Sequence, residues 1–116
     1  MSTLSTHVLD SGTGRPAAGM TVNLETSVVI DAEVGPGWIR LGGGVTDPDG
    51  RLKNWGDLPI GPGTYRLTFD TGTWFAERDR ACFYPEVMVT FTITDDGHHH
   101  VPLLLAPFAY STYRGS

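Results

Sequence analysis

The chain has 116 residues, with 8 basic and 13 acidic side chains for a formal charge of −5, and one cysteine, Cys82. That length suits one domain over residues 1–116; the acidic balance excludes the basic patch that a nucleic-acid backbone requires, and a single cysteine builds neither an intrachain disulfide nor a cysteine zinc cage. No apolar run approaches the roughly 20 residues of a membrane span, and the opening MSTLSTHVLD lacks the basic and apolar regions of a secretory signal, so a cytoplasmic location without a membrane partner is expected.

Glycine and proline punctuate short stretches rich in Val, Thr, Leu, Phe and Tyr, which is how an all-β sandwich or barrel reads. A first strand is expected over Leu4–Asp10, ended by the turn residues Ser11 to Pro16. A second runs from Met20 to about Ser27, where Met20, Val22 and Leu24 alternate with Thr21, Asn23 and Glu25, so one face is buried. A third covers Gly37–Thr46 and stops at Asp47-Pro48-Asp49-Gly50, a turn after which Arg51 opens a short strand. Tyr65, Leu67 and Phe69 share a face of the next long strand. Thr73–Arg80 is the one plausible helix, with Thr73 as its cap. Val87, Val89, Phe91 and Ile93 then alternate with polar neighbours up to Asp95-Asp96-Gly97, which reads as a tight hairpin turn. The returning strand, His98 to about Leu105, places Val101, Leu103 and Leu105 on one face and His98, His100 and Pro102 on the other, turning His100 away from the core. Pro107 breaks that strand, and Ala109–Arg114 forms the last. Cys82 reads as a small buried or half-buried side chain.

Of four histidines, three are consecutive: His98, His99 and His100. An affinity tag does not sit between a turn and an apolar strand such as VPLLL. A metal site is conceivable, since His98 and His100 project from the same strand face, but His7 is the only obvious third ligand. A merely solvated polar face is the remaining reading from composition alone.

Four segments taken together narrow these readings. STHVLD with GRPAAGMTV, TDPDGR, FYPEVMVTF and HVPLLLAPFAYSTYRGS resemble the 5-hydroxyisourate hydrolases and, more distantly, transthyretin. They run from His7 to Ser116 in that family's order, and the terminal Tyr113-Arg114-Gly115-Ser116 is the most specific, because it marks the hydrolases rather than the hormone carrier. The resemblance implies a transthyretin-like, two-sheet Greek-key β-sandwich with one short helix. It places catalytic residues at His7, Arg51, His100 and Ser116, and substrate contacts at His7, Arg51 and Tyr113. All would lie on one sheet, made of the first strand, the short strand at Arg51 and the last two. His98, His99 and the Gly42-Gly43-Gly44 run depart from the pattern without touching a matched position; His98 and His99 are expected to be exposed strand and turn residues.

The resemblance further implies a homotetramer, a dimer of dimers whose outward sheets enclose a channel with active sites at the interface. It implies hydrolysis of 5-hydroxyisourate without metal or cofactor. The residue types suit that chemistry: an imidazole that titrates near neutrality can remove a proton from water, and the arginine fork can hold a purine edge and a developing oxyanion. Which histidine is the base stays open. So does a second class of function, a transthyretin-like carrier of a small ligand, and a third, an adhesive sandwich domain.

Overall fold

A computed structural model describes residues 2–56 and 59–115. Among the described residues nine strands and one helix follow in chain order: β1 (Thr3–Asp10), β2 (Arg15–Pro16), β3 (Thr21–Asp31), β4 (Gly35–Val45), β5 (Arg51–Leu52), β6 (Gly63–Phe69), α1 (Thr71–Ala76), β7 (Val87–Ile93), β8 (His98–Ala106) and β9 (Ala109–Thr112). They form two sheets. One has the order β2-β1-β8-β9 with β5 also paired to β1, and the other has the order β4-β3-β6-β7.

The period-two patterns decide what lies between the sheets. Leu4, Val8, Val22, Leu24, Leu67, Phe69, Leu103 and Leu105 all face inward and are buried, which is the alternation expected when one face of each strand meets a core. Along β1 every even residue points in, so Ser5 and His7 point out. Two inward polar groups are satisfied locally: Thr6 Oγ1 donates to the Val101 carbonyl at 2.6 Å, and Asp10 pairs with Arg80. Cys82 is half-buried as expected, its thiol donating to the Tyr84 carbonyl.

Three expectations are corrected. Asp95-Asp96-Gly97 does not close a hairpin, because β7 pairs with β6 while β8 crosses to the other sheet and pairs in parallel with β1. The corner is held by Asp95 Oδ1, which accepts from Gly97 N, and by Ser2 Oγ, which donates to the Asp95 carbonyl. Alternation reports the buried face of a strand, and here β7 and β8 bury theirs against the same core from opposite sheets. The helix begins earlier than expected and is capped by Asp70, whose carboxylate accepts from Thr73 N; it ends at Ala76. Asp70 outcompetes Thr73 as a cap because a charged acceptor suits the N-terminal amides. His99, expected to be exposed, is 5% exposed and approaches Asp95 Oδ1 at 3.3 Å through Nε2.

Smaller differences have a common cause. The second and third strands run on to Asp31 and begin at Gly35, forming a hairpin whose tip is tied by Asp31 Oδ1 accepting from Glu33 N and Val34 N. Val29, Ile30 and Val34 are exposed there, so no buried face marks the strands in the sequence. Arg15–Pro16, expected as turn, pairs with the end of β1. Among the described residues no helix is long and apolar enough to cross a membrane.

Candidate active site

The site forms where three strands lie side by side, with β5 on one flank of β1 and β8 on the other. The turn before β5 fixes its register. Asp47 Oδ1 accepts from Asp49 N and from Arg51 N, both at 2.9 Å, and Gly50 takes a φ of +77°. A Cβ at Gly50 would collide with the Val8 carbonyl oxygen, so glycine meets both a conformational and a steric requirement there. The result sets Arg51 directly opposite His7 in the ladder.

On the other flank, parallel pairing sets Ser5 opposite His100. An open cleft of about 430 Å³ is lined by Ser5, Asp47, Asp49, Arg51, Lys53, His98 and His100, among others. His7, the ladder partner of Arg51, donates from Nε2 to the Asp49 carbonyl at 2.8 Å. A carbonyl only accepts, so the Nε2 of His7 carries a proton and Nδ1 of the neutral ring keeps its lone pair.

His100 is half-buried, and burial pushes its pKa below the usual histidine value of 6.5, helped by the nearby charges of His7, Arg51 and His98 and opposed by the Ser5 backbone. Such a ring is neutral over more of the pH range than an unperturbed histidine, and the neutral ring has a lone pair for proton abstraction. The last described residues lie along it: Gly115 N donates to the His100 carbonyl at 2.9 Å.

The sequence-predicted residues thus divide into three groups. Arg51 and His100 line one cleft, and His7 stands beside them, paired with Arg51 in the ladder and close enough to act on the charge of His100. Tyr113 lies beyond β9 and lines a neighbouring groove of about 240 Å³, together with Val89, Phe91, His99 and Arg114; His100 is shared by both hollows. Ser116 lies outside the described residues. Among the described residues no three His, Cys, Asp or Glu side chains form a set that could hold a metal ion.

Sequence reasoning missed the polar groups beside His100. Ser5 Oγ lies 2.7 Å from His100 Nδ1 and 3.0 Å from His98 Nε2, and Thr3 Oγ1 lies 2.6 Å from His98 Nδ1. Ser5 shares the outward face of β1 with His7, which alternation could have revealed. Its neighbour across the strand gap could not be read without the parallel register.

The model of the HIUase/Transthyretin family matches residues 4–115. The chain is 44% identical over 115 residues to a 5-hydroxyisourate hydrolase of Salmonella dublin, covering 97% of this chain and 80% of that one. It is 44% identical over 117 residues to a 5-hydroxyisourate hydrolase of Mus musculus, covering 99% and 96%. The structure of Klebsiella pneumoniae 5-hydroxyisourate hydrolase matches with a TM-score of 0.84 at 41% identity, over 100% of both chains.

Proposed function

This chain belongs to the HIUase/Transthyretin family, and we propose that it hydrolyses 5-hydroxyisourate, adding water at the C6 carbonyl and opening the six-membered ring to 2-oxo-4-hydroxy-4-carboxy-5-ureidoimidazoline. The observation that carries the reading is the grouping of His7, Arg51 and His100 on one outward face: Arg51 and His100 line a single cleft, Arg51 stands in register opposite His7, and the charge of His7 reaches His100.

The chemistry follows from what each group can do. Arg51 is permanently charged, and its planar fork matches the oxygens of an oxidised purine. It stabilises the oxyanion that forms as water adds to C6. His100, whose neutral form is favoured by burial and by its positive neighbours, takes the proton from water. His7, with Nε2–H committed to the Asp49 carbonyl, takes a second proton from solvent on Nδ1 and delivers that proton to the departing ring nitrogen, returning to the neutral ring. Ser116 is assigned the orientation of one imidazole and Tyr113 a contact to substrate. No metal or cofactor enters this mechanism.

The active form is a homotetramer, a dimer of dimers in which the outward sheets of facing subunits enclose a channel and complete each site. Support comes from Phe108, Tyr110 and Tyr113, large apolar or aromatic side chains that stand exposed at or just beyond the β8–β9 hairpin, and from the modest core of a chain this short. A cytoplasmic enzyme acting as one domain over residues 1–116 fits the composition.

The test generates hydroxyisourate in situ from urate with urate oxidase and follows its ultraviolet decay. Substoichiometric protein accelerates the decay, before and after treatment with a chelator. Decay held at the spontaneous rate refutes the hydrolase reading, and activity lost on chelation but restored by zinc refutes the metal-free mechanism.

A further inference from the structure

Along the wall of the cleft, from exposed His98 to half-buried His100, four side chains form an unbroken line. Thr3 Oγ1 stands 2.6 Å from His98 Nδ1, His98 Nε2 stands 3.0 Å from Ser5 Oγ, and Ser5 Oγ stands 2.7 Å from His100 Nδ1. The two rings are nearly parallel, with centroids 6.4 Å apart and 17° between their planes. Every gap is of hydrogen-bond length. The line follows from the fold, because parallel pairing sets Thr3 opposite His98 and Ser5 opposite His100, while alternation turns all four to the same face.

A hydroxyl has one proton to give and lone pairs to accept with, so Ser5 cannot treat its two histidines alike. Either it donates to His100 and accepts from His98, or the reverse. The two arrangements leave His100 Nε2, the atom pointing away from Ser5, protonated in the first case and bare in the second. The direction of this line therefore sets whether His100 meets water as an acid or as a base.

We infer that Ser5 and His98 are positioning residues that form a proton relay from His100 to solvent. The inference rests on the hydrolase reading above. In the resting arrangement His100 carries its proton on Nδ1 and donates to Ser5, Ser5 donates to His98 Nε2, and His98 donates from Nδ1 to Thr3. As water attacks, one of its O–H bonds breaks and His100 Nε2 gains that proton. The Nδ1 proton of His100 passes to Ser5, and the former Ser5 proton passes to His98 Nε2. His100 is neutral again, Ser5 is unchanged as a hydroxyl, and His98 becomes an imidazolium. No electrons leave or enter the set, and the proton removed from water rests on His98.

The destination is the better place for the charge. His98 is exposed whereas His100 is half-buried, and an imidazolium loses less hydration at the exposed position. Around the cleft the other charged or titratable groups are His7, Asp47, Asp49, Arg51 and Lys53. Arg51 and His7 act against a proton that stays on His100. From His98 the proton reaches solvent, and the line resets when solvent in the cleft takes the Nε2 proton of His100 and one proton returns through His98 and Ser5 to His100 Nδ1, so that one proton leaves in all per turnover.

The test combines kinetics with ¹⁵N NMR of labelled histidine in the full-length protein. In the wild type, the two rings titrate as a coupled pair and His100 shows the Nδ1–H tautomer. Ser5→Ala uncouples the titrations and lowers kcat about tenfold, a part of what a complete acid–base group contributes, while KM stays unchanged. Ser5→Thr restores both the coupling and kcat, which a merely structural role for the serine would not require. His98→Gln keeps a partner for Ser5 but takes up no proton, so it lowers kcat as Ser5→Ala does. A Ser5→Ala protein with wild-type kcat and an unmoved His100 titration overturns the relay alone. A wild type that never accelerates hydroxyisourate decay overturns the hydrolase reading instead.

Discussion

Replacing Gly115 with alanine asks whether the C-terminal segment shapes the site through His100. Gly115 is tied to β8 by its bond to the His100 carbonyl, and that approach brings its Cα over the imidazole. A Cβ there would stand 2.5 Å from Cδ2 of the ring and 3.2 Å from Cγ. Carbon atoms rest at about 3.5 Å or more, so ring or tail must yield by about 1 Å. The ring has little room, since Nδ1 is held 2.7 Å from Ser5 and a shift of that size breaks the bond. Misplacement of a catalytic group by about 1 Å costs on the order of a hundredfold in turnover. Stability responds far less: if the tail lifts instead, one backbone hydrogen bond is lost, about 1 kcal/mol. The measurement is kcat from hydroxyisourate decay alongside Tm by circular dichroism. Gly61→Ala serves as the control, because nothing lies within 4 Å of a Cβ at that position. A Gly115→Ala protein with wild-type kcat would show that the tail does not constrain His100, and the reasoning would fail.

His7→Ala and His100→Ala each lose about a hundredfold or more in kcat and keep their circular dichroism spectra, since both side chains lie outside the core; Arg51→Lys is also poor, because a point charge does not replace a planar fork. Near-full activity in any of these removes its assigned role. Because His100 has a lowered pKa, its neutral form persists below 6.5 and is lost only as pH falls through the lowered value. His7→Gln, which removes one positive neighbour, moves the His100 NMR titration upward, and no movement would contradict the assigned coupling. For Asp10, burial works to raise the pKa, but the hydrogen bonds from Arg80 and Thr13, the Arg80 charge and the Gly12 amide outweigh it and hold the carboxyl below 3.8. Its stabilisation is therefore present above that pH and lost as pH falls through the lowered value. Arg80→Ala leaves this buried carboxylate unpaired and costs about 3 kcal/mol in urea unfolding, whereas a loss under about 1 kcal/mol would mean the pair behaves as a surface pair. Deleting residues 113–116 abolishes turnover while light scattering still reports a tetramer; a truncated tetramer with normal turnover refutes the roles of Tyr113 and Ser116.

Much of the sandwich could be read from alternation. Met20, Val22 and Leu24, or Val101, Leu103 and Leu105, announce a strand with one buried face, and they are buried as read. What alternation does not encode is the neighbour. Val87–Ile93 followed by a turn and another apolar strand reads as a hairpin, yet the corner at Asp95 to Gly97 sends β8 across to lie parallel to β1. That one long-range pairing creates the line of Thr3, His98, Ser5 and His100, so the relay was invisible although every member was in view. His99 was misread for a related reason: a run of polar residues suggests exposure, but strand geometry turns the middle of three consecutive residues to the opposite face. The convergence of His7, Arg51 and His100 was legible only through resemblance. Their separation in the chain gives no local signal, and their meeting depends on β5 and β8 flanking β1.

The central claim is that this cleft breaks a bond in hydroxyisourate rather than merely holding it. Real-time ¹³C NMR of the intermediate made from urate labelled at C6 tests that directly, because hydrolysis turns the ring carbonyl into a carboxylate. With substoichiometric protein the label passes to the carboxylate signal far faster than in buffer, over many turnovers per site, and His100→Ala returns the rate toward the spontaneous one. A label that stays in the ring carbonyl at the buffer rate, or that is shielded in proportion to the protein added, would contradict the claim and mark the cleft as a binding site without catalysis.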